Sequence, residues 1–195
     1  MPRFVPTSQF YLAALLVMAL GFSGCDQMGD PHPDQPIFFS HATHAEQNQI
    51  PCLYCHYTAD KSPVASVPSV ETCMNCHAYI AQDHDEVVKL LDYWEAGDPI
   101  PWNKVHDQPD FVYFSHKEHV NYFMEQHGEA GTFTAQRETC GECHGEVWTF
   151  DTGKRVEPLN MGWCLDCHKE QVEAAPEEEK STRYAQLLDC WVCHK

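Results

Sequence analysis

The chain has 195 residues, with 12 Lys and Arg against 29 Asp and Glu, for a formal net charge of −17. So negative a field repels nucleic acid and favours basic or polar partners, although it serves solubility equally well. Eleven cysteines in a chain of this size first suggest a disulfide framework, which their spacing then excludes.

Met1, Pro2 and Arg3 make a short basic start, and an apolar run follows from Phe10 to Phe22 before Ser23, Gly24 and Cys25. That succession describes an export signal. Phe22-Ser23-Gly24-Cys25 resembles a lipobox, with Phe22 where Leu is usual, and makes Cys25 a lipidation candidate. The rival is an uncleaved helix over residues 4–24, close to the roughly 20 apolar residues that span a bilayer. Arg3 would then stay on the cytoplasmic side. Both readings make residues 1–25 a membrane anchor. A plain secretory signal would leave Cys25 without a task. Residues 26–36 are dense in Pro and Gly, show no apolar period, and read as a tether containing His32.

An internal repeat comes next. Ile37-Phe38-Phe39-Ser40-His41-Ala42-Thr43-His44 returns as Val112-Tyr113-Phe114-Ser115-His116-Lys117-Glu118-His119. Behind the first copy stand Cys52-Leu53-Tyr54-Cys55-His56 and Cys73-Met74-Asn75-Cys76-His77. Behind the second stand Cys140-Gly141-Glu142-Cys143-His144 and Cys164-Leu165-Asp166-Cys167-His168, and Cys190-Trp191-Val192-Cys193-His194 closes the chain. The chain therefore divides into a two-motif module at 37–82, a connector at 83–110 and a three-motif module at 111–195.

Val87, Leu90, Leu91 and Trp94 form one apolar stripe and predict a connector helix that Gly97 and Pro99 stop. An irregular segment follows over 101–106, and residues 111–114 are the best candidate for a short strand. A second helix is expected from Pro176, with Glu177, Glu178 and Glu179 favourably placed in its first turn. It runs through Leu187 and Leu188 towards Cys190. The acidic clusters at 83–86 and 177–179 should be solvated faces of these two helices. The remainder reads as loops, so the expected fold is mostly irregular and α-helical.

Two cysteines separated by two residues can reach both vinyl groups of one haem, and the histidine that follows places an imidazole under the iron; Cys-x-x-Cys-His is thus a c-type haem attachment signature. Five copies take every paired cysteine and leave only Cys25 over. Zinc sites of four cysteines fail because ten thiols do not divide into fours and the following histidine goes unexplained. Redox dithiols would not need five copies. The expected cofactor is five covalent haem c groups, with His56, His77, His144, His168 and His194 as proximal iron ligands. The macrocycles must then supply much of the apolar core, as small scaffolds need extra staples.

Thirteen histidines less five leave eight for the opposite faces. His41, His44, His116 and His119 lead, because they recur in both repeats. They stand three apart behind an aromatic segment, so that one turn can serve two irons. His106 is the fifth choice, from the aromatic segment that begins at Trp102. His84 and His127 lie in polar stretches that suit solvated side chains and rank lower. Met161, just before Gly162-Trp163-Cys164, is the non-histidine candidate. Imidazole on both faces gives a closed, six-coordinate iron suited to electron transfer.

The Phe-Ser-His-x-x-His element ahead of paired motifs resembles the class III multihaem cytochromes. That resemblance implies His41 for the haem of Cys52 and Cys55, His116 for that of Cys140 and Cys143, and the second histidine of each pair for another haem. Ser69–His77, Pro101–His106, Pro109–His116 and Met161–Cys164 are more closely similar to the pentahaem subunit of alternative complex III, a quinol-oxidising respiratory complex; a related menaquinone reductase complex has a similar subunit. The resemblance covers most of residues 37–195. It implies iron–sulfur and quinol-oxidising membrane subunits as electron source, and a monohaem cytochrome or terminal oxidase as destination. It also implies a place on the periplasmic face of the bacterial inner membrane. A stand-alone anchored electron carrier is the alternative, and a multihaem reductase with one open iron is a third reading.

Overall fold

A computed structural model describes residues 31–129 and 131–194. Residues 1–30, with the expected anchor and Cys25, lie outside the described residues. Among those described, no helix is long and apolar enough to cross a membrane, and the structure is helical without a named strand.

Eight helices carry the described chain: α1 (Cys52–Cys55), α2 (Val70–His77), α3 (Asp85–Ala96), α4 (His116–Met124), α5 (Phe133–His144), α6 (Met161–Ala174), α7 (Lys180–Leu187) and α8 (Cys190–Cys193). A π-helical turn over Ala42–Gln47 and a 3₁₀ turn over Val147–Thr149 complete the set. Each of the five motifs begins on, or runs through, a helix, which points both cysteines and the histidine the same way.

The predicted connector helix is α3. His84 precedes it and accepts the Glu86 N–H on its ring nitrogen, while Gly97 ends it in the left-handed conformation at φ 73°. Its stripe is buried at Val87 and Leu90. Leu90 joins Ile37, Met74 and Ile100 in the main apolar cluster, with Val70, Cys73, Leu91, Tyr93 and Trp102 around it.

Three expectations are corrected. The helix expected from Pro176 begins at Lys180. Glu179 and Lys180 both donate to the Pro176 carbonyl, at 2.8 and 3.2 Å, so the segment carrying Glu177–Glu179 is a turn, not a helical first turn. The strand candidate at 111–114 yields a single antiparallel bridge, Val112 with His194, because no second extended segment lies beside it. The loops expected between motifs 2 and 5 contain two long helices, α5 and α6, which begin at Thr132 and Asn160 caps that accept from Ala135 N–H and Trp163 N–H.

Residues of the expected tether are pinned to the body. Gln35 exchanges two hydrogen bonds with the Asn103 backbone (2.8 and 2.9 Å), and Arg155 N–H donates to Pro31 at 3.0 Å.

Among the described residues only nine apolar side chains are buried, and no large side chain is wholly enclosed. α6 buries none of its residues. A domain of this size normally closes around a contiguous set of packed side chains.

Candidate functional site

The two copies of the repeat build the same local constellation. In the first, the Phe39 ring stands edge-on to His41 at 5.0 Å and stacks on His44 at 4.4 Å. In the second, Phe114 stands edge-on to His116 at 4.8 Å and stacks on His119 at 4.5 Å. His44 Nδ1 meets the Ser40 carbonyl and His119 Nδ1 the Ser115 carbonyl, each at 2.8 Å. A ring fixed by its Nδ1–H and by an aromatic face presents Nε2 outward, the tautomer a metal needs.

The motif histidines are fixed likewise. His56 Nδ1 lies 2.7 Å from the Ser66 carbonyl, His77 Nδ1 3.1 Å from that of Ile80, and His168 Nδ1 2.8 Å from that of Leu187. His116 Nδ1 lies 3.1 Å from the Pro63 carbonyl. His144 differs: its Nδ1 lies 3.3 Å from His106 Nε2, ring against ring at 4.4 Å.

Repeat histidines and motif histidines come together in pairs. Ring centres are 6.0 Å apart for His44 and His77, 6.5 Å for His116 and His144, and 6.0 Å for His119 and His168. An iron held on two faces by imidazole, with bonds of about 2 Å and about 1.1 Å more to each ring centre, sets those centres about 6 Å apart. His41 lies among His56 and His44. Burial first, then these two rings, pushes its pKa down to about 4.

Burial is also the leading cause that holds His106 (down to about 4), His116, His119 and His144 low. These rings are thus neutral at pH 7, the form in which imidazole ligates a metal. The Nδ1 of His41 is buried with no partner.

No two of the ten motif cysteines are joined in a disulfide. Burial raises Cys55 to about 11, with Cys73 and Cys76 adding to it, and raises Cys143 to about 12, with Cys167 and Cys164 nearby. Cys193 adds to the burial that raises Cys164. The Cys52 and Cys140 thiols are neighbours, and their interaction lowers Cys52 and raises Cys140. Among the described residues no group of three or more His, Cys, Asp or Glu converges as a site for a bare ion.

The remaining candidates lie elsewhere. His106 sits beside His144, on its Nδ1 side. His84 caps α3, and His127 lies against Glu138 and Glu142 at 3.7 and 3.0 Å. Met161 is 62 % exposed at the start of α6. His194 stacks on Phe111 at 5.9 Å, a neighbour the sequence did not single out. Gln136 and Thr139, buried on α5 ahead of Cys140, were likewise missed, since buried polar residues leave no periodic signal.

No family model matches the chain. It is similar to a protein of Nitratidesulfovibrio vulgaris described as the multiheme cytochrome c subunit of a menaquinone reductase, with 26% identity over 197 residues, covering 95% of this chain and 89% of that protein.

Proposed function

We propose that the chain is a multihaem cytochrome c that carries electrons in a quinone-linked respiratory complex, holding five covalent haem c groups. The observation that carries this reading is the placing of repeat and motif histidine rings opposite one another at 6.0 to 6.5 Å. The likeness to a subunit of a menaquinone reductase supports the quinone link. Haem iron, when bound, supplies the one-electron cycle between ferric and ferrous states.

The residues divide the work. Cys52 and Cys55, Cys73 and Cys76, Cys140 and Cys143, Cys164 and Cys167, and Cys190 and Cys193 form the thioethers. His56, His77, His144, His168 and His194 are the proximal ligands. His41, His44, His116 and His119 close the opposite faces toward His56, His77, His144 and His168 in that order. Phe39 and Phe114 brace two of these rings each. His106 orients His144 through its Nδ1. The four irons so closed have no place for substrate; the chain conducts electrons and the quinone chemistry belongs to a membrane subunit.

Electrons enter from iron–sulfur and quinol-oxidising subunits and leave for a monohaem cytochrome or terminal oxidase, as in alternative complex III. The signal-like start through Cys25 supports a site at the periplasmic face of the membrane, held there by lipid or helix. The test is direct. Purified protein should show five haems per chain by pyridine haemochrome, a haem stain that survives a denaturing gel, and low-spin ferric signals. Material that loses its colour on the gel refutes the assignment.

A further inference from the structure

The two repeats interlock reciprocally. In the first, Ala42 N–H donates to the Phe150 carbonyl at 3.0 Å and Ser40 Oγ to Asp151 at 3.0 Å, both in the loop after the motif at 140–144. In the second, Lys117 N–H donates to the Ser62 carbonyl at 3.1 Å and His116 N–H to that of Pro63 at 3.0 Å, both in the loop after the motif at 52–56. Ala42 and Lys117 are equivalent positions. Each histidine turn is thus held by the loop behind the other repeat's first motif.

The first motifs also touch each other. Leu53 N–H donates to Gln136 Oε1 at 3.0 Å, and the Cys52 and Cys140 thiols meet. Neighbours within each module are equally close. Asn75 of the second motif donates to the Tyr54 hydroxyl of the first at 3.3 Å. One turn of α4 carries both His116, facing His144, and His119, facing His168. His168 reaches the Leu187 carbonyl just ahead of the last motif, and Tyr113 N–H bonds the Cys193 carbonyl at 2.6 Å.

We propose that the five attachment motifs form a single line in the order 73–77, 52–56, 140–144, 164–168 and 190–194, in which the two repeats meet head to head through their first motifs. The proposal rests on the reading of these motifs as haem sites. It differs from the chain order at one decisive point: the motif at 52–56 is interior and that at 73–77 is an end. The two ends are marked by exposed aromatic side chains, Tyr79 at 88 % and Trp191 at 75 %.

A map of the full haem-loaded chain, with iron located by anomalous scattering, is the test. The iron held by 52–56 should lie between those held by 73–77 and 140–144. Irons in chain order, or a 73–77 iron neighbouring that of 140–144, overturn the line but leave the haem reading intact. A chain without covalent haem overturns the haem reading itself, and a denaturing gel tells the two cases apart. A second arm uses potentials. His41→Met perturbs an interior centre and should shift the midpoints of two other haems in an EPR-monitored titration. His44→Met perturbs an end and should shift one. Equal numbers, or the reverse, overturn the order.

Discussion

A histidine ligates iron best when its ring is already turned toward the metal, and the repeat turns its rings with few atoms. A carbonyl four residues back fixes Nδ1 of His44 and of His119, and a phenylalanine covers the face. Replacing His44 by Ala should convert one low-spin haem to high spin, visible by EPR in the oxidised protein. His127→Ala should leave all signals unchanged, because His127 pairs with glutamates. Gly145 is fixed for a different reason. At φ 63° and ψ −162° it occupies a region open to glycine almost alone, and an added Cβ would stand 2.6 Å from Val156. Gly145→Ala should destabilise the haem-loaded protein by about 1–3 kcal/mol in denaturant titration. At this scale the sequence showed the five Cys-x-x-Cys-His motifs and the two histidine pairs as patterns of fixed spacing. What it left open was the neighbour of His106, a candidate for an opposite face in the sequence, which the fold brings to the Nδ1 side of His144.

Among the helices, α3 was readable because it packs by its side chains, and so its apolar stripe shows. Leu90, 5 % exposed in the apolar cluster, should cost about 2–5 kcal/mol on truncation to Ala, read from thermal unfolding or denaturant midpoints. Glu86 accepts the Phe38 N–H at 2.7 Å and thereby ties α3 to the first histidine turn. Lys89 first, then that N–H, holds its carboxylate below the usual range. A lowered carboxylate pKa contributes stability above the ordinary value and loses it as pH falls through the folded-state pKa. Glu86→Gln should therefore lower stability at neutral pH and flatten the acid limb of a stability–pH curve, the two proteins converging once pH has fallen through the folded-state pKa. The helices α5 and α6 escaped notice because they bury few or no apolar side chains. Only their caps were written in the sequence. Thr132→Ala, which leaves the Ala135 N–H without its acceptor, should cost about 1 kcal/mol.

Among the described residues, few apolar side chains are buried, and none of the large ones is wholly enclosed. Such a chain lacks the side-chain burial that offsets conformational entropy. Chain produced without haem attachment should show little helical circular dichroism and rapid proteolysis, whereas the loaded protein resists both. A haem-free chain with full helix content and protease resistance would show that the polypeptide folds unaided. The repeat itself was visible in the sequence, but the manner of its joining was not, because hydrogen bonds from Ala42 to Phe150 and from Lys117 to Ser62 run through backbone atoms that any residue possesses.

That exchange of backbone has a consequence for any attempt to divide the chain. Cut near residue 110, each fragment keeps its motifs but loses the carbonyls that finish its own histidine turn. Neither half is then a miniature of the whole. The smallest piece able to mature is one in which both copies are present together, and co-expressed fragments should acquire haem only by finding each other.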